Sequence, residues 1–311
     1  MTEKVNPRQI FGEVMIEVAE KDERVFVLSA DSFGGSGLRP FKGKFPERLL
    51  EFGVMEQGIL GFASGLATTG KIPFVVAITP FVTSRPFEMF RNDIGYMRQN
   101  VKVVGRSSGL SYSTLGPTHY SLEDVALIRA IPEVVILSPG DPVEIRQAVH
   151  AAVEYEGPLY MRIANAPLPF YFKQDHPFDI GKGVEMKTGD DVTLIGTGFA
   201  LHRAYDAAML LQEEGIHARL INIHTIRPLD RELILKAAEE TGRVVTVEEH
   251  YVVGGLGSAV AELLAVEHPV PMRIIGIPHG YAENGPYEEL LEMYGMLPEQ
   301  IAATVKRFLG A

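Results

Sequence analysis

The chain has 311 residues, of which 46% are hydrophobic, so it is long enough for two domains with separate cores. Its formal net charge of −11 argues against nucleic acid or an anionic membrane surface as the main partner, because both are themselves negatively charged. The absence of cysteine excludes disulfides, thiolate nucleophiles and cysteine-ligated zinc. The amino terminus lacks the apolar core of a signal peptide and no run is long enough for a membrane span, so we expect a soluble cytoplasmic protein.

Short β-rich runs alternate with helical periodicity along the first half of the chain. Strands buried on both faces are predicted at 25–30, 73–79, 101–105, 134–138 and 159–163. Helices are predicted at 8–20, from Glu56 onward, and at 83–97, 121–131 and 141–155. This alternation is typical of a parallel α/β domain.

A second series of the same kind follows a segment rich in proline and aromatic residues at 166–183. Its strands are predicted at 191–198, 217–223, 243–249 and 271–277, and its helices at about 199–214, 230–241, 255–266 and 286–309. The sequence therefore predicts two three-layer α/β domains, 1–175 and 191–311, joined by a linker at 176–190.

Four loops that follow first-domain strands carry most of the polar and glycine residues. They are SADSFGGSG, TPFVTSRPF, GRSSGLSYSTLGPTH and RIANAPL. Ligands of parallel sheets bind beyond the carboxyl ends of the strands, so these loops are predicted to share one site. The chain has no P-loop, complete dinucleotide fingerprint or HExxH motif.

Glu56 stands at the start of a glycine-rich helix. Residues 58–67 are small or apolar apart from Ser64, so we expect this helix to be buried on most sides and its carboxylate to need a partner. An acidic residue also favours the first turn of any helix, which explains most glutamates in such a position. Against that alternative, each interior glycine costs about 1 kcal/mol, which indicates that something packs closely against the helix.

Four other side chains are candidates, and each has a structural alternative. His119 could be a loop histidine bonded to backbone, and Phe81 could belong to the core. Arg162 ends an apolar strand, where it could pair with a carboxylate or bind an anionic substrate. Arg8 lies near a helix start, where a cation opposes the helix dipole, and this hints at an external anion.

Four motifs follow one another along the chain: VMEQGILGFASGLA, TPFVTSRPFE, GPTHYSLEDVALIRAIPEVVILSPGD and GIHARLINIHTIRPLDRE. Together they resemble the carboxyl-terminal half of transketolase over essentially the whole chain. The last motif is also similar to the β subunits of 2-oxoacid dehydrogenases and to deoxyxylulose-phosphate synthase. The resemblance implies a pyrimidine-binding domain followed by the transketolase carboxyl-terminal domain, and dependence on thiamin diphosphate.

The resemblance also implies which residues meet the cofactor. Glu56 matches the catalytic glutamate that hydrogen-bonds N1′ of the aminopyrimidine and so assists the cofactor in losing its C2 proton. Phe81 matches the aromatic residue that stacks on the pyrimidine. Asp31 matches an acidic residue near the cofactor, and Ile78 is placed beside the cofactor as well.

Substrate contacts follow from the same resemblance. Arg8, His119 and Arg162 match positions that hold the substrate phosphate in transketolases, and His119 is also a catalytic candidate. Ser107 and Leu115 stand where the family has a histidine and an aspartate that contact the donor sugar. Ser107 stays a candidate for substrate binding, whereas Leu115 cannot accept a hydrogen bond, so the donor sugar is left open.

The diphosphate and metal motif of the family lies on an amino-terminal domain, and here only Gly189–Asp191 is remotely similar. The resemblance therefore assigns no metal ligand to this chain. It implies an amino-terminal partner subunit that mainly holds Mg²⁺ and the diphosphate, in an α2β2 heterotetramer with the site between subunits. An exposed apolar face around the Glu56 helix is expected to form that interface.

The leading hypothesis is the carboxyl-terminal subunit of a transketolase, which passes a two-carbon ketol unit from a ketose or ketose phosphate to an aldose or aldose phosphate. One alternative is the β subunit of a 2-oxoacid dehydrogenase, or a synthase that decarboxylates pyruvate. Another is a non-catalytic subunit. Glu56 and Phe81 argue against that last reading, because neither is needed for folding alone.

Overall fold

The computed structural model describes residues 4–174 and 176–310. Over these residues strands and helices alternate around two large sheets, which confirms the predicted pair of α/β domains. None of the described helices has both the length and the apolar composition needed to cross a bilayer. The predicted domain limits at residues 1, 175 and 311 fall outside the described residues.

The first half of the chain contains eight strands: β1 (Lys4–Val5), β2 (Val25–Ser29), β3 (Leu49–Glu51), β4 (Ile72–Ile78), β5 (Lys102–Arg106), β6 (Val135–Leu137), β7 (Leu159–Ile163) and β8 (Leu168–Pro169). The helices are α1 (Pro7–Lys21), α2 (Arg39–Lys44), α3 (Glu56–Ala67), α4 (Thr79–Thr83), α5 (Phe87–Met89), α6 (Asp124–Arg129) and α7 (Pro142–Glu154). A π-helix spans Phe90–Tyr96 and a 3₁₀ helix spans Ser113–Thr118.

Elements of the second half include strands β9 (Val184–Lys187), β10 (Val192–Gly196), β11 (Ala218–Asn222), β12 (Thr225–Arg227), β13 (Val244–Tyr251) and β14 (Met272–Ile277). The helices are α8 (Ala200–Glu213), α9 (Arg231–Thr241), α10 (Leu256–Glu267), α11 (Tyr287–Met293) and α12 (Pro298–Leu309).

The first sheet has the order β12-β6-β7-β5-β4-β2-β3, and all its pairs are parallel except β12 with β6. Successive residues of β4 point to opposite faces: Phe74 and Val76 join one buried cluster, Val75 and Ala77 the other. Helices cover both faces, so the strands read as continuous apolar runs.

The second sheet has the order β14-β13-β10-β11-β9 and is parallel except at β9. Strand β9 lies inside the segment predicted as a linker, and β12 crosses to the edge of the first sheet. Both strands are short and form antiparallel edges, so neither produces the long apolar run that made the other strands predictable. The domain limits themselves stay a prediction.

Two predicted helices are interrupted in the structure. The segment 83–97 divides near Pro86, because proline has no N–H and cannot continue a helix. The segment 286–309 divides between α11 and α12, where Gly295 has a φ of +73° and Pro298 starts the next helix. The helix predicted at 121–131 is shorter and begins at Asp124.

Helix α3 is buried on one face only. Ile59, Leu60 and Ala63 are buried, whereas Phe62 is 45% exposed and no atom of the described residues lies within 4 Å of a Cβ added at Gly65. The expectation of burial on most sides is therefore wrong for the chain by itself. Its glycine-rich face is open.

Glu144 links the two domains. At the start of α7, its Oε2 accepts a hydrogen bond from the Gly140 N–H at 2.7 Å, and its Oε1 accepts one from Asn222 Nδ2 of β11 at 2.6 Å. Burial, together with the charge of Asp141, raises the pKa of Glu144 from 4.5 to about 8 despite these hydrogen bonds.

This raised pKa predicts a pH dependence of stability. The folded protein keeps a proton on Glu144 that the unfolded chain releases above pH 4.5, so the stabilisation is complete below that pH and is lost as the pH rises through about 8. Glu144→Gln should flatten this part of the urea-unfolding free energy against pH, and should be more stable than wild type above pH 8. The exposed Glu154→Gln on the same helix is the control, and a wild-type slope in Glu144→Gln would contradict the prediction.

Candidate active site

The loops that follow β2, β4, β5 and β7 meet at one edge of the first sheet. These strands are parallel neighbours in register, so their carboxyl ends lie side by side. The hydroxyl of Thr79 donates a hydrogen bond to the Arg106 carbonyl at 2.9 Å, which ties the loop after β4 to the end of β5. This edge contains most of the site residues predicted from the sequence.

Glu56 is the first residue of α3 and is 4% exposed. Its Oε2 lies 2.8 Å from Nη1 of Arg85, so the partner that the buried carboxylate needs is this guanidinium. Gln57 adds a second link, since its Nε2 donates to the Arg85 carbonyl at 3.3 Å. The pairing joins α3 to the segment after α4.

Phe81 lies on α4 beside this pair. The guanidinium carbon of Arg85 is 4.2 Å from the centroid of the Phe81 ring, so one cation both pairs with Glu56 and covers the aromatic face. Arg85 is 43% exposed and is therefore able to move away. Glu56 and Phe81 thus flank the planar guanidinium of Arg85, and we call the space that this guanidinium occupies the slot.

His119 follows the 3₁₀ helix and closes the other side of Phe81. The two ring centroids are 5.3 Å apart in an edge-on arrangement, and the Tyr112 ring is 6.3 Å from His119 on its far side. Nδ1 of His119 is 2.9 Å from the Thr118 hydroxyl, which fixes the ring orientation. The imidazole therefore contacts both aromatic rings edge-on.

Arg106, the last residue of β5, lies next to Tyr112. Its Nη1 donates to the Tyr112 hydroxyl at 2.7 Å, and its side chain is only 6% exposed. Arg8, from the start of α1, approaches from the opposite side and donates to the Gly35 carbonyl at 3.1 Å. The sheet edge thus brings two guanidinium groups to the loop after β2.

Arg162 is placed differently from the expectation. It forms a bidentate pair with Asp124, with Nε to Oδ2 at 2.6 Å and Nη2 to Oδ1 at 3.1 Å, and it also donates to the Glu249 carbonyl. Both side chains are buried. Of the two alternatives for Arg162, the structure shows the carboxylate pair, which engages Nε and Nη2 of the guanidinium. Binding of a substrate anion by Arg162 stays a prediction.

Asp31 and Ser107 both have positive φ angles, +48° and +59°, although neither is glycine. Such strained conformations concentrate at functional sites. The Asp31 N–H donates to Glu51 Oε1 at 2.6 Å, and the Ser107 hydroxyl accepts from Arg106 at 3.4 Å. Ile78 ends β4 opposite Arg106 in the ladder.

Two family descriptions match the chain: "Transketolase, pyrimidine binding domain" over residues 3–169 and "Transketolase, C-terminal domain" over residues 181–301. The chain belongs to the transketolase family. The predicted resemblance is confirmed, and the two α/β domains of the structure are the transketolase pyrimidine and carboxyl-terminal domains.

Several known proteins of this family are similar to the chain. An apulose-4-phosphate transketolase subunit from Phocaeicola vulgatus is 39% identical and covers 97% of both proteins. The 6-deoxy-6-sulfo-D-fructose transketolase subunit SqwH of Clostridium sp. is 36% identical over 94% of this chain and 91% of that one. A 1-deoxy-D-xylulose-5-phosphate synthase of Heliobacterium modesticaldum is 36% identical over 97% of this chain but 47% of its own length.

A solved structure, "Split gene transketolase, inactive beta4 tetramer", is 37% identical to this chain, with a TM-score of 0.92 and coverage of 98% and 99% of the two chains. The transketolase architecture described above is therefore shared by a protein of nearly the same extent.

The second transketolase domain positions the loop that contains His119. Glu249 of β13 accepts from the Leu110 N–H at 2.7 Å and from the Tyr287 hydroxyl at 2.6 Å. The Tyr120 hydroxyl donates to the Ala282 carbonyl at 2.8 Å. The geometry of the site thus depends on both domains.

Three site residues were not predicted: Arg85, Tyr112 and Arg106. Arg85 stands within the quoted TPFVTSRPFE motif and Arg106 directly follows the strand predicted at 101–105, so a search for charged residues beside the candidates would have found both. Leu115 is 53% exposed. Away from this site, the exposed Asp190, Asp191 and His217 have ligand atoms within 4.8 Å of one another.

The Glu56–Arg85 pair can be measured by a double-mutant cycle on the isolated chain. Arg85→Met should lower the free energy of unfolding by about 1 kcal/mol, because a buried carboxylate loses its partner, and Glu56→Gln should recover part of that loss. The half-exposed arginine limits the coupling to about 0.5–1 kcal/mol. Arg91→Met, at another exposed arginine, should show no coupling with Glu56→Gln, and additive effects of the first pair would contradict the contact.

Proposed function

We propose that this chain is the carboxyl-terminal subunit of a thiamin diphosphate-dependent transketolase, which passes a two-carbon ketol unit from a ketose phosphate to an aldose phosphate. The supporting observation is the convergence of Glu56, Phe81 and His119 on one sheet edge. The extent of the chain agrees with this proposal, since it covers 97% of a relative that is named as a transketolase subunit.

The slot fits the aminopyrimidine of the cofactor. Arg85 makes the two contacts that such a ring requires, an N–H donated to Glu56 and a planar face against Phe81. With the cofactor bound, Arg85 would leave the slot, Glu56 would hold a proton at N1′ of the ring, and Phe81 would pack on the ring face. Thiamin diphosphate, when bound, supplies the carbon nucleophile for ketol transfer.

His119 acts on the substrate side of this slot. Its imidazole stands next to Phe81, and Thr118 fixes its orientation, so it is placed to donate to or accept a proton from a hydroxyl of the sugar. Asp31 and Ile78 border the cofactor, and Ser107 lines the substrate side. These roles agree with the predicted ones.

A partner subunit supplies the rest of the site. The Mg²⁺ ion and the diphosphate are held mainly by an amino-terminal subunit, and an α2β2 heterotetramer places the cofactor between the two. The exposed apolar residues Val54 and Met55, just before α3, and Phe62, on α3, form part of the contact surface. A cytoplasmic location stays a prediction.

A synthase that decarboxylates pyruvate is the second candidate, because a 1-deoxy-D-xylulose-5-phosphate synthase is 36% identical to this chain. The chain covers less than half of that enzyme. The β subunit of a 2-oxoacid dehydrogenase and a non-catalytic subunit are the other readings that the assay below separates.

The test is turnover by this chain alone and mixed with a candidate amino-terminal subunit, with thiamin diphosphate, Mg²⁺, xylulose 5-phosphate and ribose 5-phosphate. We expect activity in the mixture only, and a loss of about 100-fold or more with Glu56→Gln, because the proton at N1′ is no longer held. The thermal midpoint should change little.

Glu88→Gln, at an exposed glutamate of α5, is the matched control and should keep full activity. Turnover of pyruvate without a sugar donor would favour the synthase. Cofactor binding without either reaction, or Glu56→Gln with wild-type activity, would refute the catalytic proposal.

The interface is tested by Phe62→Glu. A carboxylate on the open face of α3 should prevent the mixture from forming a larger complex, because its desolvation opposes apolar contact, while the isolated chain stays folded. Sedimentation of the mixture and circular dichroism of the single chain give the two readouts. Val266→Glu, at an exposed apolar residue of α10, should assemble normally, and normal assembly of Phe62→Glu would place the interface elsewhere.

A further inference from the structure

We propose that a cavity between the two domains, lined by Tyr120, Tyr251 and Glu123, binds a small organic cation, an ammonium or guanidinium group attached to carbon. The cavity shares no lining residue with the slot, and the proposal does not depend on ketol transfer. The cation is either a free molecule or the end of a lysine or arginine side chain of another subunit, and the experiment separates these two sources.

The cavity has the size of a small-molecule site, with a volume of about 410 Å³. Its wall combines side chains of both domains. They are Pro117, Tyr120 and Glu123 from the first domain and Tyr251, His279 and Tyr281 from the second. Among the described residues no lysine or arginine lines this cavity, and Glu123 is its one carboxylate.

Glu123 is a half-buried carboxylate without a cationic partner. Its Oε2 accepts a hydrogen bond from the Leu122 N–H at 2.9 Å, and over residues 4–174 and 176–310 it forms no ion pair. Burial raises the pKa of Glu123 above 4.5, because the ionised form loses solvation that this one hydrogen bond replaces only in part. A cation in the cavity would supply the missing compensation.

His250, which contacts the same segment, does not supply the positive charge. Its Nδ1 lies 2.8 Å from the Tyr251 carbonyl, and a carbonyl can only accept, so Nδ1 carries a hydrogen. Its Nε2 accepts from the Ala126 N–H at 3.3 Å, so Nε2 carries none. The ring is therefore neutral, and it leaves the charge of Glu123 unbalanced.

Aromatic rings form most of the remaining wall. Tyr251 meets the ring of His279 edge-on, with 5.6 Å between the centroids, and the Tyr120 hydroxyl is held by the Ala282 carbonyl at 2.8 Å. Aromatic faces attract organic cations, and they do so more strongly where the cation is desolvated. A metal ion fits this wall less well, because Ca²⁺ or Mg²⁺ takes about six oxygen ligands and the cavity offers one carboxylate.

The charge around Tyr251 also has the sign that a cation requires. Burial raises the pKa of its hydroxyl to about 12, and the acidic groups of Tyr120, Glu123 and Tyr281 add to this rise. A neighbouring cation would lower the pKa instead. The cavity therefore presents a negative potential to its occupant.

The cavity borders the loop that contains His119. Pro117 and Tyr120 belong to its wall and lie within two residues of His119 in the sequence. The same loop packs tightly on the second domain, since a Cβ added at Gly116 would lie 2.5 Å from Oδ1 of Asn284. An occupant of the cavity therefore contacts the loop and the second domain at once, and it should hold them together.

Binding is measured on the full chain by ligand-detected NMR with three probes: methylguanidinium, ethylammonium and methylurea, which is neutral and has nearly the shape of methylguanidinium. Both cations should bind with a dissociation constant of about 10 mM or below, since very small ligands seldom bind more tightly than millimolar. Methylurea should bind about ten-fold more weakly, because it has no charge to pair with Glu123. Equal binding of methylurea and methylguanidinium would overturn the proposal.

Two variants test the two parts of the wall. Glu123→Gln should weaken binding of methylguanidinium about ten-fold, because the charge is lost while the shape is kept. Tyr281→Leu should weaken it about three-fold through the loss of an aromatic face, and it serves if Glu123→Gln fails to fold, because Tyr281 is 89% exposed.

Matched controls for these variants lie far from the cavity in the fold. Glu239→Gln, at an exposed glutamate of α9, and Tyr96→Leu, at a tyrosine that is 86% exposed, should both bind methylguanidinium like wild type. Wild-type affinity in Glu123→Gln, or losses as large in the controls as in the cavity variants, would overturn the proposal.

Hydrogen exchange places the bound cation. With methylguanidinium present, exchange should slow in peptides that contain 117–123 and 279–281, because the occupant holds the loop against the second domain. Protection confined to other parts of the chain would overturn the proposal.

The same titration in the mixture with an amino-terminal subunit separates the two sources. Methylguanidinium binding that persists in the assembled complex supports a free molecule as the occupant. Binding that is lost on assembly, together with weaker assembly of Glu123→Gln, supports a cationic side chain of another subunit. Loss of binding on assembly with normal assembly of Glu123→Gln would overturn the proposal, because the cavity would then be covered without a cation. None of these measurements reads ketol transfer, so the result is independent of the proposed function.

Discussion

Parallel pairing of β2, β4, β5 and β7 is the constraint on which the site depends. Because parallel strands end at the same edge, loops that are far apart in sequence lie close together in space there. Phe81 follows β4, Arg106 ends β5, and Gly34 and Gly35 lie in the loop after β2. A register shift between any two of these strands would move the residues of one loop away from the candidate site.

The residues at this sheet edge differ in charge from one part of the edge to another. The buried carboxylate of Glu56 and the ring of Phe81 both contact the guanidinium of Arg85. Two further arginines lie at the same sheet edge: Arg106, which contacts Tyr112, and Arg8, which contacts the loop after β2. His119 contacts the rings of Phe81 and Tyr112 edge-on.

The partly exposed face of α3 and the candidate active site lie next to each other because Glu56 and Phe62 belong to the same helix. The face of α3 that contains Phe62 is partly exposed within the described chain, and the carboxylate at the start of the same helix is held by a partly exposed arginine. A partner that covers the helix also reaches the slot. On the proposed function, assembly and cofactor binding would be coupled through α3, while Glu249 and Tyr287 of the second domain hold the loop that contains Leu110.

The sequence by itself determined the two α/β domains and most strands and helices, because hydrophobic periodicity and local motifs are properties of contiguous residues. It also marked Glu56, Phe81 and His119 as candidates, and their roles stay a prediction. Edge strands β9 and β12 were not predicted, since three or four residues produce no clear period. The partners of charged groups were decided only by the tertiary structure. Arg106 is the last residue of β5 and Arg162 is the last but one of the neighbouring β7, and the sequence cannot tell which of them faces Asp124. Pairing across a sheet depends on which face each side chain takes and on which carboxylate is near, and only the folded chain specifies both.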